Sequence, residues 1–172
     1  MGPDAGWWAR STQALAEGRY NEVDAHRMPT WQILVAGMMH IEPDVVLAGH
    51  LTNHLLLLLV GLLVYLLGRA GGGRGVGLGA AVIVLLSGAM IAKSLQYSAD
   101  MAVVAFVLLS LYMAHLASRW KILAPLAGVT VGLTMVSHFT MLPYALPALV
   151  FMLMRWQGGW YLRLKSAGGF LL

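Results

Sequence analysis

The chain has 172 residues, 59% of them hydrophobic and 10% charged, with 20 Gly and no Cys. Soluble domains hold about 45–50% apolar residues with glycine counted in, and about 25% charged ones, so a soluble globular enzyme and a disordered tail are both excluded. The absence of cysteine excludes disulfides, thiolate zinc sites, iron–sulfur ligation and cysteine nucleophiles.

The formal charge of +4 divides unevenly: residues 1–54 carry three Arg against six acids, net −3, and the rest carries eight basic residues against Asp100 alone, net +7. A basic total invites a nucleic-acid reading, but charges placed this way fit an integral membrane protein with a polar, acidic N-terminal segment, and no nucleic-acid partner is expected.

In chain order, Asp4 is placed to cap a helix over 5–17 that Gly18 stops. Trp7, Trp8 and Leu15 would lie on its membrane-facing side, as aromatic residues do at an interface. A polar stretch over 20–27 leads to Met28, Pro29 and Thr30. A second helix, over 31–41, is too short to span and reads as lying in the interface, with Trp31 at its start. Residues 1–44 therefore form a loop region with two interfacial helices.

From residue 45 the chain turns apolar. A helix needs about 20 residues to cross a hydrocarbon core. Spans are expected at about 45–67, 77–92 and 101–117, then at 122–136 and 141–154. The last two reach only ~22 Å each, as tilted partners or as a broken pair around 137–140. The fold class is all-α: a polytopic membrane helix bundle of about five transmembrane helices over 45–172.

Arg69 and Arg74, then Arg119 and Lys121, then Arg155, Arg163 and Lys165 follow alternate spans. The opposite connections hold only Lys93 and His138. The positive-inside rule puts the first set in the cytoplasm, with the C-terminus, and the N-terminal segment outside together with 94–100 and 137–140. The setting is a bacterial inner membrane or a plasma membrane. Residues 1–30 lack a basic region followed by an apolar one, so no signal peptide is read there. An external N-terminal segment then requires translocation with the first span, or a span ahead of it, and the chain reads as a fragment of something longer.

Several residues carry chemistry-bearing groups, each with a plainer reading beside it. Asp4 is a helix cap, or a carboxylate at the mouth of a membrane pocket able to act as a general base. Asp100, at the outer end of the third span, is a costly acid with Lys93 as its obvious partner: a structural ion pair or a site residue. His26 and Arg27 precede Pro29, and the Arg fork suits phosphate oxygens or lipid headgroups. His50, Asn53 and His54 share a helix face at i, i+3 and i+4. They line a wet cavity or, with Glu42 or Asp44, hold a metal, although the Glu of HExxH is missing. The glycines of 71–79 contain no phosphate-loop pattern, and Gly71, Gly75 and Gly79 at four-residue spacing suit a flexible turn with close helix packing. The 11 Met are scattered as filler through the spans.

The order of these features resembles the GT-C membrane glycosyltransferases of the dolichyl-phosphate-mannose–protein mannosyltransferase and aminoarabinose transferase type. An Asp-bearing helix with an aromatic four residues on (Asp4, Trp8) is followed by LAEGRY at 15–20 and DAHRMPTWQIL at 24–34. A span with Asn53 near its start comes next, then a Gly/Arg-rich turn, SAD at 98–100, and LAGVTVGLTMVSHFTMLPYALPALV at 126–150. Relative to the family pattern, Trp8 stands where Tyr is usual, Thr30 and Trp31 replace the Pro/Tyr pair, and His138 takes the place of a Lys. The span that precedes the Asp-bearing loop in the family is not in this chain, and neither are the later spans and the C-terminal domain of many members.

The resemblance implies transfer of a sugar from a polyprenyl-phosphate carrier to a lipid or protein acceptor on the extracytoplasmic face of the bilayer. Asp4 matches the family's first-loop Asp, which acts as base or orients the nucleophile. Arg27, with His26, matches the basic residue that holds the donor phosphate, and Asp100 matches the second-loop acid. His50, Asn53, His54 and His138 are expected to line the substrate cavity. No resident cofactor is implied beyond the lipid-linked donor, and nothing in the residues supports a divalent metal. This chain alone is expected to be inactive. The alternatives are a non-catalytic accessory or scaffold subunit of a membrane complex and, third, a transporter, for which only 137–143 hints at a broken helix.

Overall fold

The computed structural model describes residues 3–23 and 29–137, and for 3–5 and 137 the backbone course alone. Within those residues the protein is all-α, with helices α1 Pro3–Ala16, α2 Thr30–Met38, α3 Val45–Leu85, α4 Gly88–Ser94, α5 Asp100–Arg119 and α6 Ala124–Ser137. Short 3-10 turns lie at Tyr20–Glu22 and Lys121–Leu123. The chain divides into two compact units, Met1–Ala105 and Phe106–Leu172. The expected span at 141–154 and the basic stretch after it lie outside the described residues.

α1 begins one residue before the expected cap. Pro3 is its first residue, a position where proline's missing N–H and preset φ cost nothing. Asp4 therefore stands inside the first turn. The C-terminal stop is as expected. Gly18 takes φ 74°, Arg19 N–H donates to the Ala14 carbonyl at 2.8 Å and Gly18 N–H to the Leu15 carbonyl at 3.2 Å. This is the Schellman pairing that closes orphan carbonyls. The second helix is shorter than expected: it runs Thr30–Met38, and 39–41 form a turn.

The first two expected spans are a single hairpin. α3 starts on Asp44, whose carboxylate accepts from Val46 and Leu47 N–H at 2.9 and 2.8 Å. It folds back at Gly73, with φ 86° and ψ −178°, a backbone region essentially reserved for glycine. The arms close on other glycines than the four-residue series at 71, 75 and 79, where an added Cβ would meet nothing. A Cβ on Gly68 would lie 2.9 Å from Gly77 Cα, one on Gly77 2.6 Å from the Tyr65 carbonyl, and one on Gly61 2.8 Å from the Leu85 side chain. The seam forms where the antiparallel arms face each other, which repeat spacing within one arm does not reveal.

The return arm does not continue to residue 92 as one span. Ser87 is extended at φ −63°, ψ 119°, and α4 begins after it. Among the described residues two helices are long and apolar enough to cross a membrane, Val45–Leu85 and Asp100–Arg119, and a shorter apolar helical stretch covers Lys121–Val136. The first arm of α3 is two-faced. Leu47, Leu51, Leu55, Leu58 and Leu62 form an exposed stripe, while Ala48, Thr52, Asn53, Leu56, Val60 and Leu63 are buried. Contiguous exposed leucines are costly in water and natural against lipid, so the stripe accords with a membrane setting.

In the second unit the core is made largely of small side chains: Ala114 and Ala117 of α5 pack with Ala124, Ala127 and Val131 of α6. Thr130 and Thr134 are buried there and return their hydroxyls to the carbonyls of Ala127 and Thr130 at 2.8 and 2.9 Å. Small residues let backbones approach closely, the usual basis of helix association in lipid.

Candidate functional site

The polar residues of the first unit converge where α1 and α2 cover the Val45 end of α3. On α1, Ser11 and Thr12 are buried and Trp8 is half-buried, while Trp7 is exposed. Trp8 thus turns inward instead of facing an interface beside Trp7. Its ring meets Trp31 edge-on at 5.4 Å. Trp31, at the start of the helix expected to lie in the interface, is itself buried, with 1% exposure. Its ring also meets Tyr97 edge-on at 4.8 Å. Offset and edge-on pairs are worth about 0.5–1.5 kcal/mol each beyond the area they bury.

Asn53 ties this aromatic row together. It is fully buried. Its Oδ1 accepts from Trp31 Nε1 at 2.8 Å, and its Nδ2 donates to the carbonyls of Gln96 at 2.6 Å and Ser98 at 3.2 Å. One amide side chain thereby joins α2, α3 and the loop ahead of α5, and both of its ends are used. The same loop is seated by Tyr97, whose ring lies against Gly49 so closely that a Cβ there would fall inside it. Burial pushes the Tyr97 phenol up to about 12, with the Thr12 hydroxyl pulling the other way and Asp44 adding to the rise.

Asp100 opens α5 immediately after that loop. Its carboxylate pairs with Lys93 Nζ of α4 at 2.6 Å, and both side chains are about half exposed. The expected partner is the real one. The pair presents a cation and an anion side by side at the start of a helix.

The expected polar face of α3 does not exist as one surface. Asn53 points into the protein and is consumed by the knot, so it does not line a cavity. His54 is exposed, and its Nδ1 lies 2.6 Å from the His50 carbonyl. His50 turns toward Tyr97, with ring centroids 6.3 Å apart. Positions i, i+3 and i+4 share a helix face, but a neighbour packed against its middle takes one side chain inward and leaves the others on its flanks. Among the described residues no three His, Asp or Glu side chains group to hold a metal ion.

For Asp4 the structure gives the backbone position only, and His26, Arg27 and His138 lie outside the described residues. The sequence reading missed Trp31, Tyr97 and Thr12 as members of the polar junction. A signal was available: Ala48 and Gly49 stand one turn before Thr52 and Asn53, two small residues making room beside two polar ones.

The sequence model of one family, described as dolichyl-phosphate-mannose-protein mannosyltransferase, matches residues 26–171. No curated protein and no solved structure gives a significant match. The matched stretch takes in α2, the Trp31–Asn53 knot, the loop before Asp100 and both long apolar helices. On that coverage, the chain belongs to the dolichyl-phosphate-mannose-protein mannosyltransferase family of membrane glycosyltransferases.

Proposed function

We propose that this chain carries the donor-facing part of a glycosyltransferase that moves a sugar from a polyprenyl-phosphate carrier to an acceptor on the extracytoplasmic side of the membrane. The family match over 26–171 carries this reading, because it includes Arg27 and Asp100 together. In the proposed step the anomeric carbon–oxygen bond to the carrier phosphate breaks, and the phosphate leaves with the electron pair. An acceptor oxygen bonds to that carbon and gives its proton to the Asp4 carboxylate.

Arg27, with His26, holds the leaving phosphate, since a planar fork fits its oxygens and offsets the developing charge. Asp100 is the second acid of this reading; it opens α5 directly after the loop that Asn53 and Tyr97 seat, and Lys93 balances its charge. Family membership favours this reading over the accessory-subunit alternative.

The test is transfer of radiolabelled sugar from polyprenyl-phosphate mannose, and from other polyprenyl-phosphate hexoses and pentoses, in membranes containing the chain. This chain should bind the donor saturably even without turnover, and wherever label leaves the carrier lipid Asp4→Asn should cut the rate by about 10²-fold or more, the usual scale for removing a general base. Because the chain has no cysteine, Tyr20→Cys reports sidedness directly: an impermeant maleimide should reach it from outside. No donor consumption together with no saturable donor binding would overturn the proposal.

A further inference from the structure

The exposed side of α1 bears a feature that family membership does not account for, because it lies wholly ahead of the matched residues. Trp7, Arg10, Ser11, Gln13, Arg19 and Glu22 line an open pocket of about 280 Å³. Trp7 is 57% exposed, and the Arg10 guanidinium lies over its ring at 5.6 Å from the centroid. Arg19 is held by two carboxylates. It binds the Glu17 carboxylate, with Nε to Oε2 at 2.8 Å, and the carboxylate of Glu22. Gln13 donates its amide to Glu17 at 2.9 Å, so one carboxylate holds both Gln13 and Arg19.

We propose that this pocket is a saccharide-binding site that receives the sugar ring of a carbohydrate-bearing acceptor. Three observations select that class. An exposed indole offers a flat apolar surface for the C–H face of a sugar, while amide, carboxylate and guanidinium groups around it donate and accept hydrogen bonds in fixed planes. The volume falls just under the ~300 Å³ at which small-molecule sites usually begin, room for one ring and not for a large ligand. The charges are balanced in number, Arg10 and Arg19 against Glu17 and Glu22: both carboxylates bind Arg19, and Arg10 lies over the Trp7 ring. A site built for phosphate would leave both arginines free to hold it, whereas Arg19 is taken up by two carboxylates.

The first turn of α1, with Asp4 one turn before Trp7, places the proposed base next along the same helix. The acceptor role thus rests on the transferase reading, whereas sugar binding does not.

The test separates the two. With the chain in neutral-lipid nanodiscs and no donor present, saturation-transfer NMR is run with the methyl glycosides of mannose, glucose, galactose and arabinose. At least one should receive saturation on its ring protons, with affinity falling about tenfold in Trp7→Ala and in Gln13→Ala. Trp7→Phe should retain part of it and Trp120→Ala, an exposed indole elsewhere, all of it. Circular dichroism of each variant checks that α1 remains helical.

No saturation from any glycoside, or binding that survives Trp7→Ala, overturns the proposal. Loss of binding to phosphatidylglycerol vesicles in Arg10→Gln, without any glycoside signal, replaces it with a headgroup site. Glycoside binding without sugar transfer from any polyprenyl-phosphate donor keeps the site and sinks only its acceptor role.

Discussion

The two ends of the first arm of α3 are held by opposite means. At the Val45 end the contacts are made by large side chains: three aromatic rings in a row, a buried amide with partners at both ends, and a tyrosine laid on a glycine. At the Gly73 end almost no side chain takes part, and backbone meets backbone through Gly68 and Gly77. The first kind of junction has directional hydrogen bonds and sets the angle of each element it joins. The second has none and simply allows two arms to touch. An architecture that must orient residues from three segments needs the first, and one that must only return the chain through an apolar layer is served by the second.

Placing side chains in the glycine seam should have the largest effect. Gly77→Val drives a branched side chain against the Tyr65 carbonyl and the Arg69 N–H, both backbone, so the arms must separate, at a cost of about 3 kcal/mol or more. Gly71→Ala, at an open position, should change stability by less than about 0.5 kcal/mol. Detergent-titration unfolding in mixed micelles, followed by circular dichroism, measures both. Equal effects would mean that the seam is not where the arms meet.

Next in size is the polar end. Asn53→Leu strands the Trp31 N–H and two loop carbonyls in a buried site, for a loss of about 2–3 kcal/mol. Spin labels at Ile33→Cys and Leu95→Cys, both exposed positions in a chain without native cysteine, should then show a broadened distance distribution. A sharp distribution in the variant would mean that the loop is seated without Asn53.

A pH scan probes the same junction with a smaller effect. The Tyr97 phenol is raised from its ordinary 10 to about 12, so the folded state holds its proton more tightly than the unfolded one. The stability linked to that burial is complete below pH 10 and is lost as pH rises toward 12. Tyrosinate absorbance should show a late step near pH 12, and Tyr97→Phe should remove it. The smallest change is expected for Lys93→Gln. A half-exposed pair is worth about 0–1 kcal/mol, so the variant should unfold almost as wild type does. A large loss would show that Lys93 helps to hold the loop as well as Asp100.

Much of the helical content was legible in the sequence because its signals are local. Gly18 stops α1 through its own backbone freedom, the apolar run of 101–117 forms α5, and the sparse acids pick out Asp100 and Lys93 as partners. His50, Asn53 and His54 were read together from their spacing, but in the structure Asn53 is buried while His54 is exposed. Periodicity says which residues point the same way, but not what packs against them.

By itself, then, the sequence determined the all-helical class, the apolar stretches, the stop at Gly18 and the Lys93–Asp100 pairing. Each of these depends on residues close in the chain or on a composition that admits one solvent. Only the tertiary structure decided that Trp31 and Trp8 turn inward, that Asn53 is a knot and not a cavity wall, and that Gly68 and Gly77 form the seam. Those outcomes depend on segments 9 to 66 residues apart, and a side chain's environment is made by whichever of them arrives beside it.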